Sequence, residues 1–595
     1  MSIIYSLTSQ LLHQIFKFNL QEKFHIFIFM EKSQQRGPIP HRLIAIANSN
    51  ELHQTLTKRP KNSREINFEG FPKAEEPKHK RRKFMKITSI LKSQKPSHDL
   101  HLNIASRHNQ DINFLISKTK DAKNVHKLTL KIQHSPQITD STFKKLYFSL
   151  KHFKNLSSLV ISTPSLLNIT DRSLSHLFLA LTCLKNLSKL HLNFSASLRI
   201  DDQALQIFTK KLHHLKIQDL TLNLSSCNLI TTKGLENLSH ALQKFNTLHR
   251  VHFGFSYFNG QITSEGVIKL FSSLKPDSLE SLRLNLHLST LNRGSEGEPF
   301  SVGLSKFLDP VKLQNLELKW YLNFNEADLR RFASIMSRFK RLQGLNLNFD
   351  VSTNRPTQQG IKDLLSGVAT CLPSLHRLKF SFSNFYMLDD SVMDVLATEL
   401  ELCTQNLSHL GLNFCQCTQI TDSGIQKLGL SLKKLTLLTH LDLNLTCCNQ
   451  ISNKGIQALA YHLKSLENLK ELFLNISLCA LLTSNAAQNI AQMLTNLPQI
   501  KSLSLSFTYC QGIKDDGIEA LDEALKSLNL LENLFLGFSG CVEVSEKAFE
   551  NLVVELKDLR LLHNVGIYLP RNNFLVKLKG KLSSQFRNFP RFSLH

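Results

Sequence analysis

The sequence predicts an α/β solenoid, a right-handed horseshoe with a parallel sheet on its concave face and helices on its convex face. Three observations predict it. Leu-x-x-Leu-x-Leu-like hexads end at residues 130, 161, 192, 222, 253, 284, 318, 347, 380, 412, 443, 474, 505 and 536, in steps of 29 to 34 and most often 31. Each hexad alternates apolar and polar residues, as in Leu410-Gly411-Leu412-Asn413-Phe414, the period of a strand with one buried face. Apolar residues then recur at helical spacing, as Ile425, Leu428, Leu432 and Leu435 do, or Leu235, Leu238, Leu242 and Phe245. A unit of one strand and one helix of about three turns cannot bury its apolar face without a neighbour stacked on it.

The curvature follows from size. Strands pair about 4.8 Å apart and helices need about 8 to 10 Å, so stacking fans the helices outward and lines the inner side with the sheet. Between strand and helix stand the triplets Ile138-Thr139-Asp140, Ile169-Thr170-Asp171, Ile420-Thr421-Asp422 and Ile451-Ser452-Asn453. Thr or Ser can cap the free N–H groups of a helix start, and the acid complements its dipole. Cys227, Cys417, Cys448, Cys479, Cys510 and Cys541 each lie five residues after a hexad, and Ser135, Ser165, Ser197, Ser289 and Ser352 are expected in the same place. The column calls for a small, buried, weakly polar group, and free thiols stacked this way suit a reducing compartment.

The span Leu407 to Leu435, with its hexad, Cys417, Ile420-Thr421-Asp422-Ser423-Gly424-Ile425 and Leu-rich helix, resembles the cysteine-containing type of leucine-rich repeat. Such repeats occur in F-box leucine-rich-repeat proteins, and the helix length is similar to that of the ribonuclease-inhibitor type. The resemblance implies a scaffold that binds a protein partner. It also implies two alternatives, a substrate-recognition adaptor of a ubiquitin ligase and a regulator of a small GTPase. The pattern departs from the family in one respect: two residues, usually Asn-Phe, lengthen each strand and extend the apolar column to Phe194, Leu224, Phe255, Phe349, Phe382, Phe414, Phe507 and Phe538.

Charge and composition set the expected bounds. Residues 1–98 carry no hexad and read as a basic, Pro-containing, largely disordered tail; 99–570 hold 14 to 15 units; 571–595 read as a basic C-terminal tail. Residues 31–98 hold 16 Lys+Arg against 6 Asp+Glu, and 571–595 hold 6 against none, so most of the net charge of +25 belongs to the ends. The cluster Lys78, Lys80, Arg81, Arg82 and Lys83 is a nuclear-import candidate. Met30, followed by a polar stretch, reads as an alternative start. No uncharged apolar run reaches the roughly 18 residues of a membrane span, so no membrane association is expected, and the chain reads as a cytoplasmic or nuclear monomer.

No H-E-x-x-H, G-x-x-x-x-G-K-[ST] or G-x-S-x-G motif occurs, and the 11 cysteines include no C-x-x-C pair. No catalytic residue, cofactor or metal is expected. The concave face should instead present the polar positions of each strand. Eight of these are basic and five acidic, too small an excess to neutralise a phosphate backbone, so nucleic acid is not expected there. A row of Asn (Asn193, Asn223, Asn285, Asn348, Asn413, Asn444, Asn475) could form an inter-strand amide ladder. The expected partner-binding patch is the central basic stretch Arg250, His252, Arg283, Arg377 and Lys379, with Tyr321, Phe473 and Phe535 as exposed aromatic anchors.

Overall fold

The structure, a computed structural model, describes residues 63–69, 99–105, 125–132, 138–166, 168–212, 214–256, 262–274, 278–287, 312–321, 326–349, 357–570 and 591–594. Eighteen strands pair in chain order, each parallel to the next, from Ser63–Glu69 to Arg591–Leu594. Thirteen α-helices among the described residues follow strands of this sheet, so the chain is an open α/β solenoid. No helix among the described residues is long and apolar enough to cross a membrane.

The register makes the repeat physical. Leu378, Leu410, Leu441, Leu472, Leu503 and Leu534 are direct neighbours across consecutive strands. They are buried, as are the second hexad column, the helix residues Ile425, Leu428 and Leu432, and the eight added positions from Phe194 to Phe538. All belong to one continuous core. Each fully buried Leu or Ile contributes roughly 1.5 to 3 kcal/mol, so a unit stripped of its neighbours loses most of its favourable term.

The Ile-Thr-Asp triplet joins units as well as starting helices. Thr170, Thr231, Thr421 and Ser452 accept at their hydroxyls from the N–H two residues on, the capping bond expected of them. The acid that follows then accepts from the next unit's cap. Thr421 donates its N–H and hydroxyl to Asp390 at 2.9 and 2.5 Å, and Ser452 does the same to Asp422 at 2.7 and 2.5 Å. The glycine of the motif makes room for this relay: a Cβ on Gly234, Gly424 or Gly455 would fall on the carboxylate of Asp202, Asp390 or Asp422.

The cysteine column has an equally local cause. Each thiol donates to the carbonyl at the end of the preceding strand: Cys227 to Phe194 at 3.3 Å, Cys417 to Phe382 at 3.1 Å, Cys448 to Phe414 at 3.2 Å, Cys479 to Leu445 at 3.2 Å, Cys510 to Ile476 at 3.2 Å and Cys541 to Phe507 at 3.1 Å. One place earlier the chain turns in the left-handed region, at Ala196, Ser226, Gln416, Cys447, Leu478 and Tyr509 among others, with φ between 57° and 63°. Ser165 belongs to that turn position (φ 59°), and Leu166 fills the buried place that the sequence pattern had given to Ser165.

Two further expectations need correction. The array does not stop at residues 99 and 570, because the strand Ser63–Glu69 pairs with Asp99–Ala105 and Arg591–Leu594 pairs with Asn564–Tyr568. The strand at 63–69 alternates only over Ile66-Asn67-Phe68, with Arg64 in register with Leu100 of the next strand, so it does not register as a hexad. The Asn row is not an amide ladder. Asn193, Asn223, Asn413, Asn444 and Asn475 each accept at Oδ1 from the backbone N–H two residues on, at 3.0 to 3.1 Å, which shapes the exit turn. Lys78, Lys80, Arg81, Arg82, Lys83, Trp320's side chain, most of the two irregular loops and 571–590 lie outside the described residues.

Candidate protein-binding face

Three polar rows run across the concave sheet, fixed by the strand register. In the outer row Lys189, Asp219 and Arg250 are direct neighbours. Asp219 accepts from both flanking cations, Lys189 at 3.3 Å and Arg250 at 3.2 Å, and Arg250 also lies 3.7 Å from Glu280. In the middle row Glu317 bonds Arg283 at 2.5 Å and Lys319 at 3.1 Å. Burial alone would raise the Glu317 carboxyl, but Lys319 and Arg283 outweigh it and hold the group below its ordinary range. His252 is pushed down to about 3, by burial first and by Arg283 second, so it is neutral at physiological pH.

The next cations lean apart. Arg377 reaches back over Gly344 to Asn315 Oδ1 at 3.2 Å, and a Cβ on Gly344 would lie 2.5 Å from that oxygen. Lys379 reaches forward over Gly411 to Asp442 at 3.6 Å. Beside them the rings of His409 and His440 stack at 3.8 Å, 12° from parallel, and His440 Nε2 lies 3.0 Å from Glu471. His409 is pushed down to about 4 by burial and then by the neighbouring His440 and Arg377. Past Glu471 the floor is uncharged over three strands, at Ser502, Asn533, Asn564, Ser504, Gly566, Ser506 and Gly537, until Arg591; Phe535 stands within this stretch and Phe473, the neighbour of Asp442, at its border.

The sequence-predicted site residues fall on this face but not as a basic patch. Arg250, Arg283 and Lys379 are each committed to an acid on a nearby strand, Arg377 to Asn315, and His252 is neutral. Phe473 and Phe535 are half-buried rather than exposed, and Phe535 packs against Tyr568 at 5.0 Å. The side chain of Tyr321 lies outside the described residues. Sequence reasoning missed Glu317, Asp442, Glu471 and the His409–His440 stack as partners, although the period of about 31 already placed Glu317 one unit beyond Arg283. Among the described residues no group of three or more His, Cys, Asp or Glu is placed to hold a metal ion.

A family model described as leucine-rich repeat matches residues 216–239 and 434–460. Each stretch covers one strand and most of the helix that follows it. No curated protein matches the chain. Among solved structures, the crystal structure of the Rad7 and Elc1 complex in yeast matches at 16% identity, covering 74% of this chain and 90% of that one, with a TM-score of 0.40.

Proposed function

Since this chain is a leucine-rich-repeat protein, we propose that it is a non-enzymatic scaffold that binds a protein partner on the concave face of its sheet. One observation carries the reading: the charges of the central floor are paired within the sheet, Arg283 and Lys319 on Glu317 and Lys379 on Asp442. Such a surface is rigid before binding, costs little entropy to order, and carries both signs of charge in fixed places. It complements the mixed surface of a folded protein better than a polyanion. Phe535, on the uncharged stretch, and Phe473 at its border supply the apolar anchors. Eight buried free thiols in the array support a reducing compartment, the cytosol or nucleus.

The test is affinity capture with quantitative mass spectrometry, using the full chain, Arg283→Glu with Lys379→Glu, and Phe473→Ala with Phe535→Ala. Loss of the same bound proteins from both variants supports the reading, and an unchanged set refutes the concave assignment. A Skp1-like protein captured only when residues 31–98 are present would assign the adaptor role instead, and acceleration of GTP hydrolysis the regulator role.

A further inference from the structure

A second surface lies on the edge of the solenoid where helices end and strands begin. Residues 125–256 hold 16 Lys+Arg against 6 Asp+Glu. The fold separates these charges. Asp140, Asp171 and Asp202 open helices and Asp201 precedes one, all on the opposite edge. The remaining two acids are occupied, Asp219 by Lys189 and Arg250 and Glu236 by Lys269 at 2.7 Å. The helix C-terminal edge is left with cations. Lys210 and Lys211 stand in the last turn of Asp202–Leu212, while Lys154, Lys185, Lys216 and Lys244 follow helix ends in four consecutive units.

All six are exposed, and none joins an ion pair among the described residues. Backbone bonds stack the turns that carry them: Ser188 N–H to Ser157 O at 3.0 Å, Gln218 to Ser188 at 2.7 Å and His249 to Gln218 at 2.8 Å. The helix dipole accounts for a lysine at such an edge, but not for the missing acids. At the same edge of later units Lys434 pairs with Glu401 at 2.7 Å and Lys526 with Glu523 and Glu555 at 3.1 and 3.7 Å.

We propose that this lysine edge, from Lys154 to Lys244, binds the phosphodiester backbone of a nucleic acid without reading its sequence. A row of unpaired cations stacked one to three to a unit, with no acid between them, can neutralise several phosphates along one strand. The paired concave floor cannot, so the two faces take different partners and neither proposal depends on the other.

The experiment uses the full chain and labelled oligonucleotides of roughly 20 residues, single-stranded and duplex, at salt from about 50 to about 200 mM. The edge variant is Lys154→Glu, Lys185→Glu, Lys216→Glu. The control makes the same charge change on the opposite edge, Lys233→Glu, Lys454→Glu, Lys514→Glu, where acids suit the helix starts. Circular dichroism checks that both fold. The edge variant should bind about tenfold or more weakly and with a shallower salt dependence, the control within about twofold of the parent. The arms tell single strand from duplex as the preferred source of the backbone. Equal binding by edge variant and control overturns the proposal, as does displacement of the oligonucleotide by polyglutamate as readily as by unlabelled DNA.

Discussion

The side chain of Lys379 lies across Gly411 to meet Asp442 two strands away, Nζ to Oδ2 at 3.6 Å, and a Cβ on Gly411 would stand 2.9 Å from the lysine Cγ. The glycine, on the strand between the two charges, gives the lysine its path. Gly411→Val should therefore separate the pair without disturbing the core, since the obstructed atoms belong to a flexible, half-exposed side chain. A double-mutant cycle on Lys379 and Asp442 should give a coupling of about 0.5 to 1 kcal/mol in the parent and near zero in the valine background. Equal coupling in both would mean that the glycine is incidental.

Gly455 matters more, because the group it admits is held in place. Ala at this position would push out the Asp422 carboxylate, which accepts two bonds from Ser452, and would also approach the Asp422 Cα at 3.2 Å. Gly455→Ala should destabilise by about 1 to 3 kcal/mol in chemical denaturation. In an Asp422→Ala background the same change should cost distinctly less. Additive costs would show that the relay is not what the glycine protects.

The thiol column predicts both reactivity and a stabilising change. Burial pushes Cys227, Cys510 and Cys541 up to about 12, so they remain thiols. A thiol reagent should label exposed Cys183 at once and the six column cysteines only as the chain unfolds. Ser197 occupies the same column 34 residues after Thr163, yet its hydroxyl and that of Thr163 are buried without partners. A longer C–S bond would reach the preceding carbonyl as Cys227 does, so Ser197→Cys should stabilise by about 1 kcal/mol. A lower melting temperature would sink this account.

One joint in the cap relay depends on a proton. Where most other units place Thr or Ser, Asp201 faces Asp171, and Asp201 already caps its own helix by accepting from Gln203 N–H at 2.7 Å. Burial, followed by the hydrogen bond and charge of Asp201, pushes Asp171 up to about 6. A raised carboxyl favours the protonated folded form, so its contribution is complete below about pH 4 and fades as pH rises through 6. The pair is half-exposed, and screening leaves about 1 kcal/mol of the effect. Asp201→Thr restores a hydroxyl donor. It should stabilise the chain at pH 7 and leave it little changed at pH 4, as read from denaturation midpoints. A gain of equal size at both pH values would rule out the shared proton.

The period of the hexads determined the strand–helix unit, the stacking and the burial of residues such as Leu410 and Phe414, because a one-sided apolar strand leaves only one way to cover itself. Thr421 and Asp422 were legible as a helix start for the same local reason. The second role of Asp422, and the need for Gly455 beside it, arise only when two units are set side by side. The concave charges went the same way. The sequence identifies Arg283 and Lys379 as polar positions of a strand, but only the register and the glycines between strands decide that Glu317 and Asp442 neutralise them. Composition likewise supplied an excess of lysine, and it took the common direction of the helices to send the aspartates to one edge and leave Lys154, Lys185 and Lys216 alone on the other.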